Sequence, residues 1–258
     1  MTENIPTYPD LAGKVAVVTG GSGGIGAATC RMLAANGAKV VVNGRDETRI
    51  DAVVGEILAD GGQAIGVAAD VTDFAAIERM RGWVEQELGL VEVLAVFAGG
   101  GGPPPGPTAQ ITEGEWRSAI DGNLTSTFLT LKSFLPGMIE RGRGSIVTMA
   151  SSAGRVPTSA PTAYAAAKAG VVMLSRQVAS EVGGHGVRVN CLAPDSILTG
   201  RIQRLMSENQ QKQWAAMFPL GRMRAPEDVG LATLFLASES SSWLTGVTLD
   251  VAGGKVMV

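Results

Sequence analysis

Short apolar runs alternate with longer segments of helical spacing along almost the whole chain. Lys14–Thr19 (KVAVVT), Lys39–Asn43, Gln63–Ala69, Val91–Ala98, Ser145–Ala150 and Val187–Leu192 read as strands, with a last strand near Val247–Val251. None of the first six alternates apolar with polar residues, as expected of a sheet covered on both faces. Between them, Gly24–Asn36, Asp46–Asp60, Asp73–Leu88, a long stretch Thr112–Arg141 and Thr162–Val182 carry helical spacing. Gly37, Gly61-Gly62 and Gly89 stop helices, and Asp46, Thr72 and Thr112 are the expected N-caps. Strand–helix alternation of this kind calls for right-handed crossovers. It predicts an α/β fold with a doubly wound parallel sheet and helices on both faces.

The alternation has no break that would divide the chain, so residues 11–258 are expected to form one dinucleotide-sized domain behind a polar tail of residues 1–10. Two segments interrupt the rhythm. Gly99–Pro107 (GGGGPPPGP) follows a strand at the sheet's carboxyl edge, where open α/β sheets bind ligands, and is expected to form an active-site rim. Residues of about 195–223 are expected to form a substrate lid. There Ile202, Leu205 and Met206, then Trp214, Met217 and Phe218, make two apolar stripes suited to an uncharged cyclic ketone, with Arg201 and Arg204 beside them.

Composition narrows the class. The 258 residues are 45% hydrophobic and 17% charged with a net charge of -3, which supports one sizeable core and gives nucleic acid or an anionic membrane no basic tract to engage. No stretch reaches the ~18 apolar residues of a membrane span, and no signal peptide is recognisable. A cytoplasmic location is therefore expected. Cys30 and Cys191 have no companion at ligand spacing and read as buried thiols; no metal is expected.

The chemistry begins at Thr19-Gly20-Gly21-Ser22-Gly23-Gly24-Ile25-Gly26, between the first strand and the first helix. A backbone must turn sharply there, approach a pyrophosphate and present helix N-terminal amides to it, which makes the arrangement Rossmann-like. Two registers fit, Gly21-x-Gly23-x-x-Gly26 and Gly20-x-x-x-Gly24-x-Gly26. At the end of the second strand a ribose-binding acid would favour NAD(H), but the residues are Asn43-Gly44-Arg45. A guanidinium at Arg45 can fork onto a 2′-phosphate, so NADP(H) is favoured; Asp46, one register away, keeps NAD(H) as the alternative. Asp70-Val71, after the third strand, is placed to cap the adenine side.

Tyr164 and Lys168 stand four apart on a predicted helix and share a face. A cation beside a phenol of reference pKa ≈ 10 favours its phenolate and suits it to acid/base work. Ser151 and Ser152 end the strand before them, and Asn123 lies further upstream. With the glycine loop, Asp70, Val189-Asn190, Pro194 and the late Pro219–Arg222 and Pro226–Val229 segments, these residues make the chain resemble the short-chain dehydrogenase/reductase family.

The resemblance implies Tyr164 as acid/base, Lys168 as the ribose-binding, pKa-lowering cation and Ser151 as the hydroxyl that orients the carbonyl. Ser151 lies thirteen residues before Tyr164 and has Gly154 after it; Ser152 lacks that spacing. It implies that Asn123 holds a water relaying protons to Lys168. It also implies that Gly20, Ser22, Gly24, Ile25, Gly26, Arg45, Asp70, Val71, Ala98, Gly99, Tyr164, Lys168, Pro194 and Thr199 contact the cofactor. The implied activity is NADP(H)-dependent interconversion of a small-molecule ketone and secondary alcohol by a homotetramer or homodimer. Phe97-Ala98-Gly99 stands where the family has Asn-Ala-Gly, and Asp195 where it has Gly, so an altered rim and pocket are expected. One rival is a 3-oxoacyl-carrier-protein reductase, whose two carrier-docking arginines align with Gly142 and His185 here, though Arg141 and Arg143 are near. A non-catalytic dinucleotide-binding redox sensor is the rival from another class. His185, among glycines, reads as a surface turn; Trp83 and Trp116 read as core, and Arg141 and Arg143 as partners of a helix dipole.

Overall fold

The computed structural model describes residues 5–100, 102, 104–195 and 207–258. Seven parallel strands form one sheet in the order β3-β2-β1-β4-β5-β6-β7: β1 Val15–Thr19, β2 Lys39–Gly44, β3 Gln63–Ala68, β4 Val91–Val96, β5 Gly144–Met149, β6 Val187–Pro194 and β7 Thr248–Val251. The helices are α1 Gly24–Ala35, α2 Glu47–Ala59, α3 Phe74–Glu87, α4 Glu113–Ile120, α5 Ser126–Arg141, α6 Thr162–Val182, α7 Glu208–Ala215 and α8 Pro226–Ala237. Strand order reverses between β1 and β4, so the loops after these two strands diverge and leave a crevice at the carboxyl edge.

Alternate side chains of each central strand bury on opposite faces. Val17, Leu94, Ile146 and Val189 pack with Ile77, Val84, Leu131, Phe134 and Val178 from α3, α5 and α6. Ala16, Val18, Val40, Val42 and Val93 pack with Leu33, Ile50, Ile57 and Leu234 from α1, α2 and α8. This two-sided core explains the unbroken apolar runs. The edge strand β3 departs from the expectation, since its residues are only half-buried or exposed.

Asp46 caps α2 by accepting from the Arg49 amide, and Thr112 forms a capping box with Glu115 on α4. At α3 the expectation was one residue off. Asp73 is the cap, while Thr72 bonds Asp70. Trp83 and Trp116 are not core residues; they stand 44% and 42% exposed, outside the stripe Ile77, Met80 and Val84 on α3 and beside the single buried Ala119 on α4. Arg141 donates to the Val91 carbonyl and Arg143 pairs with Glu92 at 3.3 Å, so both tie α5's end to β4. His185 lies exposed in a turn, and both cysteines are buried and free. Among the described residues no helix is long and apolar enough to cross a membrane.

Candidate active site

The carboxyl ends of β1, β4, β5 and β6 border two adjoining cavities, of about 490 and 690 Å³, that share Gly99 and Gly100. A third cavity of about 730 Å³ lies at the amino edge, lined by Lys14, Gly142, Arg143, Val187 and Trp243, away from the glycine loop and from Ser151, Tyr164 and Lys168.

The smaller cavity is the glycine cradle. Gly20 and Gly24 have φ of +67° and +52°, a region unfavourable to side chains. A Cβ on Gly26 would fall 2.1 Å from the Gly20 carbonyl oxygen, so the start of α1 packs directly on the loop. Gly23, by contrast, is extended at φ −179° with open space around it. Backbone geometry thus selects the Gly20-x-x-x-Gly24-x-Gly26 register. Ser22 is the only side chain of loop 20–24, which leaves room for pyrophosphate, and Gly23, the N-cap of the twelve-residue α1, borders the cavity.

Gly44 is sterically constrained as well. A Cβ there would meet Ser22 Oγ at 2.6 Å, so an acid at this position would require the Ser22 hydroxyl to turn away. Arg45 is exposed and lines this cavity with Ser22, Asp70, Val71, Ala98 and Asn123. Asp46 is occupied as the α2 cap and in an ion pair with Arg49 at 3.3 Å. Asp70 accepts the amide and hydroxyl of Thr72, which hold its carboxyl below the usual range.

The larger cavity gathers Ser151, Tyr164 and Lys168, with Ile25, Phe97, Pro194 and Asp195 around them. Ser151 ends β5 and caps the 3₁₀ turn Ser152–Gly154, accepting the Ala153 amide at 3.3 Å. Gly154 explains the serine's position, since a Cβ there would lie 2.6 Å from the backbone of Lys168. The turn therefore rests directly on α6. Gly154→Ala should push that turn off α6 and cost about 1–3 kcal/mol, as overpacking does. Thermal unfolding checks this, and an unchanged melting temperature would contradict it.

Tyr164 is raised above its ordinary pKa by burial, offset in part by its hydrogen bond with Ser151 and by the charge of Arg224. The Lys168 ammonium is buried, donates to the Met149 carbonyl at 2.8 Å and lies 5.6 Å from the Tyr164 ring centroid. Burial pulls the Lys168 pKa from 10.5 down to about 8. Between those values the unfolded chain binds more protons than the folded one, so stability rises with pH. Urea unfolding near pH 8 and near pH 10 should show a rise that Lys168→Met lacks; parallel responses would contradict it.

Asn123 sits in a π-helical turn, Asp121–Thr125, that interrupts the expected single helix between α4 and α5. Such turns recur at functional sites because they displace a backbone segment from regular pairing. The Asn123 amide donates to the carbonyls of Ala119 at 2.9 Å and Gly100 at 3.1 Å, and accepts the Gly100 amide at 3.2 Å. Gly99 is pinned beside it; a Cβ there would lie 2.6 Å from Asn123 Oδ1 and 3.4 Å from Lys168 Nζ. The Phe97 ring packs into the sheet's core, while Thr19 Oγ1 accepts the amides of Phe97 and Ala98 at 3.0 and 3.2 Å, tying β1 to the rim.

The first stripe of the expected lid, Thr199, Arg201 and Arg204 lie outside the described residues. The second stripe does not border the catalytic cavity: Met217 is 45% exposed, and Phe218 is buried beside Gly253. In its place are polar groups absent from the sequence reading, namely Arg224 and Lys255. Arg224 follows Arg222 in a stretch that reads as solvated, and one-dimensional spacing gives no sign of its burial.

Known proteins match this arrangement. A family model described as short chain dehydrogenase matches residues 14–210. A 3-oxoacyl-[acyl-carrier-protein] reductase of Chlamydia pneumoniae is 36% identical over 244 residues, 95% of this chain and 97% of that protein. A 2,5-dichloro-2,5-cyclohexadiene-1,4-diol dehydrogenase of Sphingobium indicum is also 36% identical, covering 95% of this chain and 96% of that one. A solved short-chain dehydrogenase/reductase structure from Burkholderia xenovorans superposes with a TM-score of 0.89 at 34% identity, over 96% of this chain and 98% of that one.

Proposed function

This chain belongs to the short-chain dehydrogenase family, oxidoreductases of CH–OH and C=O groups, and on that premise we propose that it interconverts a ketone and a secondary alcohol with NADP(H). The observation that carries the proposal is the meeting of the Ser151 hydroxyl, the Tyr164 phenol and the Lys168 ammonium in one cavity that adjoins the glycine loop's cavity.

When bound, the nicotinamide dinucleotide supplies the hydride for a carbonyl carbon, or accepts one from a carbinol. Gly20, Ser22, Gly24, Ile25 and Gly26 would hold its phosphates and ribose, and Asp70, Val71, Ala98, Gly99, Pro194 and Thr199 would contact the rest. Arg45, beside a Gly44 that carries no acid, would meet the 2′-phosphate. Ser151 accepts the Ala153 amide and is hydrogen-bonded to Tyr164, so its hydroxyl stands beside the phenol, where it can turn to a substrate carbonyl oxygen and stabilise developing negative charge. Tyr164 delivers the proton to that oxygen, and its raised pKa keeps it protonated and ready to donate. Lys168 grips the ribose and, through Asn123, restores the proton. The protein works as a homotetramer or homodimer in the cytoplasm.

Turnover of a panel of ketones and alcohols with each cofactor tests the proposal. A carrier-linked substrate is the weaker reading. The positions for docking arginines hold Gly142 and His185, and Arg141 and Arg143 are engaged with Val91 and Glu92.

A further inference from the structure

Arg224 is a buried cation at the catalytic cavity for which the acid/base scheme has no task. It is 8% exposed and borders the same cavity as Ser151 and Tyr164. Its Nη2 donates to the Asp195 carbonyl, while Nε and Nη1 are buried and have no hydrogen-bond partner. The neighbouring carboxylates are held by other groups. That of Asp195 is gripped by Lys255 at 2.9 Å and by the Ser152 hydroxyl at 3.2 Å. That of Asp228 accepts both terminal nitrogens of Arg222, at 2.6 and 2.7 Å, and the Ala225 amide at 2.9 Å. Around the cavity the positive charges of Arg224, Lys255 and Lys168 therefore outnumber the single carboxylate of Asp195. Burial lowers Arg224 only to about 10, so it stays charged at neutral pH.

A buried guanidinium with open donors is a costly feature unless an anion completes it, and its planar N–H groups suit a carboxylate. We infer that the substrate carries a carboxylate, paired with the Arg224 guanidinium while its carbonyl or carbinol oxygen meets Ser151 and Tyr164. The inference rests on the redox reading of that pair and deepens it. A 3-oxoacyl thioester on a carrier has no charge near its reacting carbon and would leave Arg224 open. A free oxo or hydroxy acid satisfies both ends of the cavity at once.

Binding of two unreactive probes of one shape, pivalate and pivalamide, tests this without turnover. Pivalate should bind about tenfold more tightly than pivalamide, the equivalent of ~1.4 kcal/mol. Arg224→Met should erase the difference, and Arg224→Lys should keep part of it. If the Met variant does not fold, Arg224→Gln, which retains polarity without charge, serves in its place. Equal binding of the two probes, no pivalate binding, or a preference that survives loss of the charge would each overturn the inference. Loss of the preference should also appear as a fall in kcat/KM for 3-oxo acids but not for their methyl esters. Ketone turnover without carboxylate preference would sink the anion site alone. Carboxylate preference without turnover of any ketone would sink the redox reading alone.

Discussion

Tyr164→Phe is expected to bind NADPH as the unaltered protein does while kcat for ketone reduction falls by ~10²- to 10⁴-fold, the usual worth of a positioned general acid. The substitution keeps the half-buried ring and removes only the hydroxyl that bonds Ser151. Stability should change little, since Ser151 keeps the Ala153 amide as a partner. Substantial turnover by the Phe variant would remove Tyr164 from the chemistry. Weakened NADPH binding with unchanged kcat would make it a binding residue instead.

The second large effect is expected at the cofactor's adenosine end. Arg45→Ala should raise the KM for NADPH by about tenfold or more, because a charged partner of a phosphate is worth ~1.5 to 3 kcal/mol, with ~1.4 kcal/mol to a decade. The KM for NADH should hardly move. Equal losses with both cofactors for Arg45→Ala would show that the guanidinium serves the common part of the dinucleotide.

The sheet was legible because its central strands are buried on both faces and therefore apolar without interruption. β3 was the exception, and Trp83 and Trp116 were misplaced, because residue type says less about exposure on a helix flank than periodicity does. Tyr164 and Lys168 could be paired from their four-residue spacing alone. The serine choice also rested on spacing, and the close approach of Gly154 to the Lys168 backbone now gives that spacing a cause. Two glycine registers were indistinguishable in the sequence, and only the positive φ of Gly20 and Gly24 and the open space around Gly23 separate them. The π-turn at Asn123 was hidden inside an apparently continuous helix, since its amide bonds reach a loop more than twenty residues away. Arg224 was invisible for the same reason: its burial depends on β6 and on the loop before α8 meeting in space.

The central claim is that the cavity transfers hydride between nicotinamide and a carbinol carbon rather than only sensing a dinucleotide. NADPH deuterated at nicotinamide C4 on the transferable face, incubated with neutral ketones and 3-oxo acids, tests it most directly. The account predicts an alcohol deuterated at the carbinol carbon, one equivalent per NADP formed, with the label's appearance suppressed in Tyr164→Phe. Tight binding of the labelled cofactor with no deuterium in any alcohol of the panel would contradict it.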